Sequence, residues 1–193
     1  MTDPLLLELP TVINTDRLIL RPPQAGDGPE HFAALTESLP ELRRFLAALP
    51  WVAADPSVEA SELYCRNGQV SFVARKDLPF FLFERSTGQF VGAAGLLRID
   101  WKVPRAEVGY WVRSSRAGQG FVSEAVQALT DYAFAHLHAV RVELVTDEEN
   151  RASRKVAERC QFALEAVLRD NYRMPDGSLK NTCIYARFPT TPA

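Results

Sequence analysis

The stretch from Tyr110 to Thr130 limits most strongly what this chain can fold into. A strand ends near Val112, a short polar loop over 113–117 follows, and Gly118 and Gly120 precede apolar residues at helical spacing. The loop amides and the first turn of the helix offer free N–H groups, and the helix dipole favours negative charge there. Glycine lets a phosphate approach the backbone closely. The stretch therefore predicts a strand, an anion-binding loop and a helix in succession.

The glycine pair is compatible with other kinds of site, and the residues around it restrict them. A tight turn between a strand and a packed helix needs nothing more than these small residues. A dinucleotide-binding loop needs a third glycine three residues after Gly120, where this chain has Ser123. A Walker phosphate loop is excluded, because no Gly-Lys-Ser/Thr occurs in the chain.

Composition favours one globular domain over residues 1–193, with its core at about 15–188. Of 193 residues, 47% are hydrophobic, which suits a sizeable core. The net charge of −2 and the pI of about 6.0 do not favour a nucleic-acid partner. No apolar run approaches the ~20 residues of a membrane span, and the first ten residues make a poor signal peptide. Three scattered cysteines without metal-ligand spacing predict reduced thiols, no metal and a cytoplasmic protein.

Hydrophobic periodicity and turn residues predict the order of the elements. Helices are expected from Asp27–Gly28, from Pro40 to Pro50–Trp51, from Asp55–Pro56 towards Ala74 with a break at Asn67–Gly68, after Gly120, and over 151–160. Strands are expected over 18–21, 80–84, 89–97, 106–112, 141–146, 164–169 and 182–188. A helix between two strands predicts that they are parallel. The fold class is therefore α/β (α+β): a mixed, mostly antiparallel sheet of about six to seven strands with one βαβ crossover and flanking helices.

The residues AEVGYWV and SSRAGQGFVSEA resemble the strand, pyrophosphate loop and helix of the GNAT (Gcn5-related) N-acetyltransferases. The closest likeness is to the RimJ/RimL subgroup, which acetylates protein N-termini. Gly118 and Gly120 match the family's loop, whereas Ser115 stands where Gln or Arg is usual, followed by Arg116. The resemblance covers Thr15 to Phe188, and its specific part is Ala106 to Phe162.

This resemblance implies direct transfer of an acetyl group from acetyl-CoA to a primary amine in a ternary complex, without a metal. The acceptor is a protein N-terminus or a small-molecule amine, and the oligomeric state stays open, a homodimer included. The implied coenzyme-binding residues are Tyr110, Trp111, Val112, Ser115, Arg116, Ala117, Gly118, Gln119, Gly120, Phe121, Asn150 and Ser153. The side chain of Arg116 either pairs with a phosphate or faces water.

Three residues are candidates for the chemistry. Glu107 is placed where Gcn5-type enzymes carry their catalytic glutamate, and the alternative is a glutamate paired with Arg105. Ser153 is a candidate to protonate the thiolate of CoA, although Asn150 and Ser153 also read as the start of a helix. Asp170 is an alternative base or a ligand for the substrate, unless it is a polar loop residue.

The family's Gly-Phe at the end of the 151–160 helix is Gln-Phe here, so Gln161 is expected to take the left-handed conformation. The implied acceptor pocket lies between Phe45–Trp51 and Tyr172–Leu179, with an apolar wall from Trp51, Tyr172 and Met174. Two rival functions remain at this stage. One is a non-catalytic acyl-CoA-binding regulatory domain, and the other is a nucleotide- or phosphate-ligand-binding protein that uses the same glycine loop.

Overall fold

A computed structural model describes residues 3–190 and contains one eight-stranded sheet with five helices. The strands are β1 (Ile13–Asn14), β2 (Leu18–Arg21), β3 (Leu78–Glu84), β4 (Phe90–Asp100), β5 (Arg105–Val112), β6 (Arg141–Asp147), β7 (Ala163–Arg173) and β8 (Leu179–Arg187). The helices are α1 (Gly28–Leu46), α2 (Pro50–Ala53), α3 (Val58–Val73), α4 (Phe121–His136) and α5 (Arg151–Arg159).

The strand order is β1-β2-β3-β4-β5-β6-β8-β7, and every neighbouring pair is antiparallel except β5 and β6. Helix α4 joins these two strands, as a parallel connection requires. The mixed sheet and its single crossover are confirmed. The number of strands is one higher than expected, because Ile13–Asn14 pairs with Leu20 and Ile19 as a further strand.

The two faces of β5 belong to different cores. Val108 lies in a buried cluster with apolar residues of α4 and α5, such as Leu129 and Ala157. Trp111, three residues along, lies in a second cluster with Leu35 of α1 and Phe81 of β3. This arrangement follows from the alternation of side chains along a strand. It places Glu107, Gly109 and Trp111 on the face that carries α1.

Two predicted helix breaks are wrong. Helix α1 runs through Pro40 without ending, because its apolar stripe of Leu35, Leu39, Leu42 and Leu46 continues at helical spacing across the proline. Packing of that stripe offsets the lost hydrogen bond. Pro50 does not close this helix but begins α2, where its missing N–H costs nothing.

Helix α3 likewise continues through Gly68, which the sequence had marked as a break. A Cβ atom at this position would lie 3.1 Å from Cγ of Pro23. Gly68 therefore serves the close approach of the helix to the segment after β2, and it does not signal a turn. No helix within residues 3–190 is long and apolar enough to span a membrane.

The sheet parts between β5 and β6. The two strands pair only from Arg105 with Arg141 to Glu107 with Glu143. Beyond this point β5 continues against β4 as far as Val112, and β6 continues against β8 as far as Asp147. A slot therefore opens between the facing edges of these two strands, and their backbone groups along the slot are not used by each other.

Candidate active site

The loop after β5 presents a run of backbone N–H groups at one end of the slot. Gly118 and Gly120 have φ values of 76° and 82°, which glycine adopts without strain. Gly120 is the N-cap of α4 and caps it with no side chain. Within residues 3–190, the N–H groups of 118–123 find no acceptor. Six consecutive amides at a helix N-terminus are donors suited to an anion, and the predicted anion site stays a prediction.

The first half of this loop is fixed to α1. The carboxylate of Glu37 accepts hydrogen bonds from Nε of Arg113 at 2.6 Å and from the Ser115 N–H at 2.8 Å. The Ser114 N–H donates to Oγ of Ser38, which is fully buried. Hydrogen bonds from Ser115 and Arg113 lower the pKa of Glu37 to about 2, so this clamp stays charged at neutral pH. The N–H of Ser115 is thus engaged by the protein itself.

The second half of the loop is braced by Arg17, which comes just before β2. Its guanidinium donates to the carbonyl of Gln119 at 2.9 Å and to the carboxylate of Glu124 at 2.7 Å. It also lies over the ring of Phe121, 4.7 Å from the centroid. One side chain therefore contacts the loop, the first residue and the first turn of α4. This role of Arg17 is not predictable from the sequence, because its partners lie more than a hundred residues away.

The side chain of Arg116 is held by protein groups. It contacts Oε1 of Gln89 and lies 3.4 Å from the carboxylate of Glu84. These contacts tie the loop to the β3–β4 hairpin. A role of Arg116 towards a phosphate stays a prediction, and its charge already has a partner.

A pair of hydroxyl groups spans the slot. Oη of Tyr110 on β5 lies 2.7 Å from Oγ of Ser153 on α5. The Ser153 N–H in turn donates to Oδ1 of Asn150, the N-cap of α5, as the sequence predicted. Burial raises the pKa of the Tyr110 phenol, although its hydrogen bond to Ser153 opposes the change. Tyr110 therefore carries its proton at neutral pH and can donate it.

The resemblance implies a coenzyme contact for Tyr110, but the sequence did not reveal the role of its hydroxyl. Its ring does pack against the core cluster, but its hydroxyl leaves the cluster and reaches α5. The strand alternation that puts Glu107 on the α1 face puts Tyr110 on the face of α4 and α5. The alternation of side chains can be read from the sequence, but the contact between Tyr110 and Ser153 depends on how α5 packs.

Glu107 lies on the opposite face, paired with an arginine. Its carboxylate accepts two hydrogen bonds from Arg98, one of them from Nε at 2.8 Å. The Glu107 side chain is 14% exposed, whereas that of Arg98 is 68% exposed. Arg105, the expected partner, pairs with Asp100 instead. A shift in the β4–β5 register between Leu97 and Asp100 brings Arg98 to Glu107.

A second carboxylate stands next to Glu107. Glu143 is its register partner across the parallel pair, so both side chains point to the same face. Arg141 donates to Glu143 at 2.7 Å and also contacts Glu165. Each of the two neighbouring glutamates thus has its own arginine, which offsets the repulsion between them.

A cavity of about 480 Å³ opens above Glu107, between the sheet and helices α1 to α3. Residues of the predicted pocket segment 45–51 line it, Trp51 among them. Tyr172 and Met174, from the second predicted segment, are not among its lining residues. Met174 is buried elsewhere, and the Tyr172 hydroxyl donates to the carboxylate of Asp147.

His31 forms part of the cavity wall and is 4% exposed. Its ring packs against both Tyr64 and Phe81, at centroid distances of 4.8 and 5.4 Å. Nδ1 is enclosed without a hydrogen-bond partner in the described part of the chain. Burial lowers the pKa of His31 to about 4, against the opposing charge of Asp27. The imidazole is therefore neutral at pH 7.

Asp170 lies at a bulge in β7. Its φ is 48°, and its N–H donates to Oδ1 of Asn181 at 2.8 Å. The residue is exposed and is not among the residues that line the cavity. The structure thus brings Glu107, Gly109, Tyr110 and Trp111 to one cavity and does not bring Asp170 there. A role for Asp170 as a base or as a ligand stays a prediction.

Comparisons with known proteins agree with this arrangement. The family model of the acetyltransferase (GNAT) domain matches residues 17–163. The uncharacterized N-acetyltransferase p20 of Bacillus licheniformis is 36% identical over 107 residues, which cover 55% of this chain and 60% of that protein. The ribosomal-protein-serine acetyltransferase of Escherichia coli K12 is 31% identical over 108 residues, 56% of this chain and 59% of that protein.

Among solved structures, the ribosomal L7/L12 α-N-protein acetyltransferase RimL in complex with coenzyme A has a similar fold. It superposes with a TM-score of 0.84, at 21% identity, over 92% of this chain and 97% of that chain. At this identity the likeness concerns the fold. The sheet and the order of the helices are therefore those of a known fold.

The brace formed by Arg17 gives a first prediction. Replacing Arg17 by Ala should raise the Kd for CoA about tenfold, or ~1.4 kcal/mol, because the amides of 118–123 lose their support. Isothermal titration with CoA measures the effect. Arg66→Ala removes a surface arginine that pairs only within α3 and is the matched control. Equal affinity of the Arg17→Ala and Arg66→Ala proteins would show that the loop keeps its shape unaided.

The buried imidazole gives a second prediction. Because the folded-state pKa of His31 is depressed from 6.5 to about 4, the unfolded chain binds the proton more readily. The contribution of neutral His31 to the free energy of unfolding is complete above pH 6.5. It is lost as the pH falls towards 4, by roughly 3 kcal/mol, at ~1.4 kcal/mol per pH unit. Urea unfolding at pH 7 and pH 4.5 should show a smaller loss for His31→Phe than for the parent protein. The same loss in both proteins would contradict this assignment.

Proposed function

The chain belongs to the GNAT family of acetyltransferase domains, which makes it an acetyl-CoA-dependent N-acetyltransferase, and we propose that its acceptor is a protein N-terminus. The observation that carries the choice of acceptor is the relative that acts on ribosomal-protein serine, at 31% identity. A small-molecule amine is the other acceptor class compatible with the sequence. The whole of 1–193 acts as one catalytic domain in this proposal.

The loop and the slot fit the coenzyme. The free amides of 118–123 would hold the pyrophosphate, and the open edge of β5 from Tyr110 to Val112 would hydrogen-bond the amide groups of the pantetheine arm. Acetyl-CoA supplies an acetyl group activated as a thioester. The side chains of Ser115 and Arg116 would border the loop, with Arg116 already held by Glu84.

Glu107 is proposed as the base, because it is the carboxylate at the cavity end nearest the slot. An α-amine must lose a proton to become a nucleophile, and a positioned carboxylate can accept that proton directly or through one water. Arg98 holds the Glu107 carboxylate in one orientation through two hydrogen bonds. One carboxylate oxygen has to turn from Arg98 to the incoming amine.

Tyr110 and Ser153 are proposed to serve the leaving group. A free thiol has a pKa near ~8.5, so the departing thiolate is stabilised by a hydrogen bond or a proton. The two hydroxyls, 2.7 Å apart across the slot, would stabilise the thiolate by donating a hydrogen bond to it. Asn150 fixes Ser153 by accepting its N–H. The hydroxyl pair and Glu107 stand on opposite faces of β5, so the base and the groups that stabilise the thiolate are separate.

Replacing Glu107 by Gln should lower kcat by about 100-fold or more at pH 7, the usual size of a general-base contribution. The Kd for acetyl-CoA should stay nearly unchanged, because the amides of 118–123 hold the coenzyme. Release of free thiol measures turnover, and titration measures binding. Glu143→Gln, which removes the same charge from the neighbouring strand, is the matched control. Unchanged turnover of Glu107→Gln would remove this residue from the mechanism, and a fall in Asp170→Asn instead would shift the role to Asp170.

The choice of acceptor is tested with peptides. Peptides with a free α-amine should be acetylated at that amine, whereas α-blocked peptides that contain lysine should not react. Mass spectrometry locates the acetyl group. Thermal shifts with acetyl-CoA, CoA, ATP and NAD at equal concentration provide the coenzyme control, since a ligand of the folded state raises Tm. Acetylation of lysine in the blocked peptides at the same rate would contradict a preference for N-termini.

A further inference from the structure

The cavity above Glu107 has a chemistry that restricts the acceptor beyond its amine. We propose that the acceptor amine is carried by a bulky apolar group, of the size of an aromatic amino-acid side chain, which fills this cavity. The proposal rests on the assignment of Glu107 as the group that meets the amine. For a protein N-terminus, the bulky group is the side chain of the first residue.

The wall of the cavity is largely apolar. Its volume of about 480 Å³ lies in the range of sites that enclose small-molecule ligands. Aromatic and aliphatic side chains form most of the wall: Leu35, Leu46, Trp51, Tyr64, Leu97 and Trp111. A serine or alanine side chain would leave most of this apolar surface in contact with water, whereas a ring would cover it.

Two glycines lie at the floor of the cavity. Gly95 of β4 and Gly109 of β5 are register partners on the sheet, and both line the cavity. No side chain rises from either residue. The side chain of Leu97 covers Gly109, because a Cβ atom on Gly109 would approach Cδ1 of Leu97 to 2.9 Å. A flat group that enters between Glu107 and Trp111 would therefore lie against an apolar side chain.

The charged residues of the cavity lining also restrict the acceptor. The charged residues of the lining already have partners, since Glu107 pairs with Arg98 and Asp55 with Arg43. His31 contributes a neutral ring to the wall at pH 7, because burial lowers its pKa to about 4. A polycationic or anionic acceptor would find no unpaired opposite charge here. An uncharged group with a single amine at the Glu107 end is complementary to this site.

The rim of the cavity exposes apolar and aromatic side chains to solvent. Three residues of the lining are partly open to solvent although apolar or aromatic: Leu49 at 40%, Trp51 at 38% and Tyr64 at 38%. They come from the α1–α2 connection, α2 and α3, at one side of the cavity. Exposed apolar residues grouped in this way mark sites that bind apolar ligands. A bulky group entering past them would bury their exposed surface.

The test compares matched acceptors in two series. One series contains peptides that differ only in the first residue, with Phe, Trp or Leu against Ser, Ala or Asp. The other contains free amines, 2-phenylethylamine against ethylamine. Thiol release should give a kcat/KM at least ~10-fold higher for the bulky member of each series, since every buried methylene contributes a few-fold. Equal rates, or a preference for the small member, would overturn the inference.

A cavity-filling variant links this preference to the cavity. Ala60 lines the cavity and is exposed on α3, so Ala60→Trp should fill space without disturbing a core. We expect it to lower kcat/KM for the Phe-first peptide about tenfold and to leave the Ser-first peptide nearly unchanged. Ala135→Trp, at an exposed position of α4 that does not line the cavity, is the control. Equal loss for both peptides, or none, would contradict the proposed location.

The two series separate this inference from the proposed function. Acetylation of all peptides at similar rates would overturn the bulky-group inference and leave the N-terminal acceptor standing. Acetylation of 2-phenylethylamine alone would support the inference and overturn the N-terminal acceptor. Acetylation in neither series, by a protein whose Tm rises with acetyl-CoA, would overturn both.

Discussion

The early end of the pairing between β5 and β6 is the constraint on which the rest of the site depends. Once the two strands separate after Glu107 and Glu143, the backbone edge of β5 is free along Tyr110 to Val112. Everything assigned to the coenzyme and to catalysis lies beside this opening. Glu107 marks its closed end, the glycine loop its open end, and the Tyr110–Ser153 contact crosses it. A sheet that stayed paired to the end of β5 would have neither a slot nor a free backbone edge.

The loop at the open end keeps its shape through contacts from distant parts of the chain. Glu37 of α1 holds the first half, and Arg17 from the segment before β2 holds the second. The amides of 118–123 are thereby left without internal partners while the residues around them are fixed. This combination of rigid surroundings and free donors distinguishes an anion site from an ordinary turn. It is also the reason why the glycine pair alone was a weak signal.

The sequence predicted well what depends on neighbours in the chain. The strand–loop–helix stretch, the single parallel pair and the Asn150 cap follow from periodicity and capping residues. Gln161 is left-handed as expected, with a φ of 63°. The prediction from sequence was wrong where tertiary packing determines the structure. Pro40 stays inside a helix because an apolar stripe runs across it. Arg98 meets Glu107 only because the β4–β5 register shifts, which no local pattern reveals.

The short seam between β5 and β6 also has a mechanical consequence. Strands β1 to β5 form one half of the sheet and β6, β8 and β7 the other, and three register pairs join the halves. The core cluster that contains Val108 and Leu144, helix α4 and the hydroxyl contact across the slot also join the halves. A ligand bound in the slot would contact both halves. Its binding free energy would then also strengthen the connection between them.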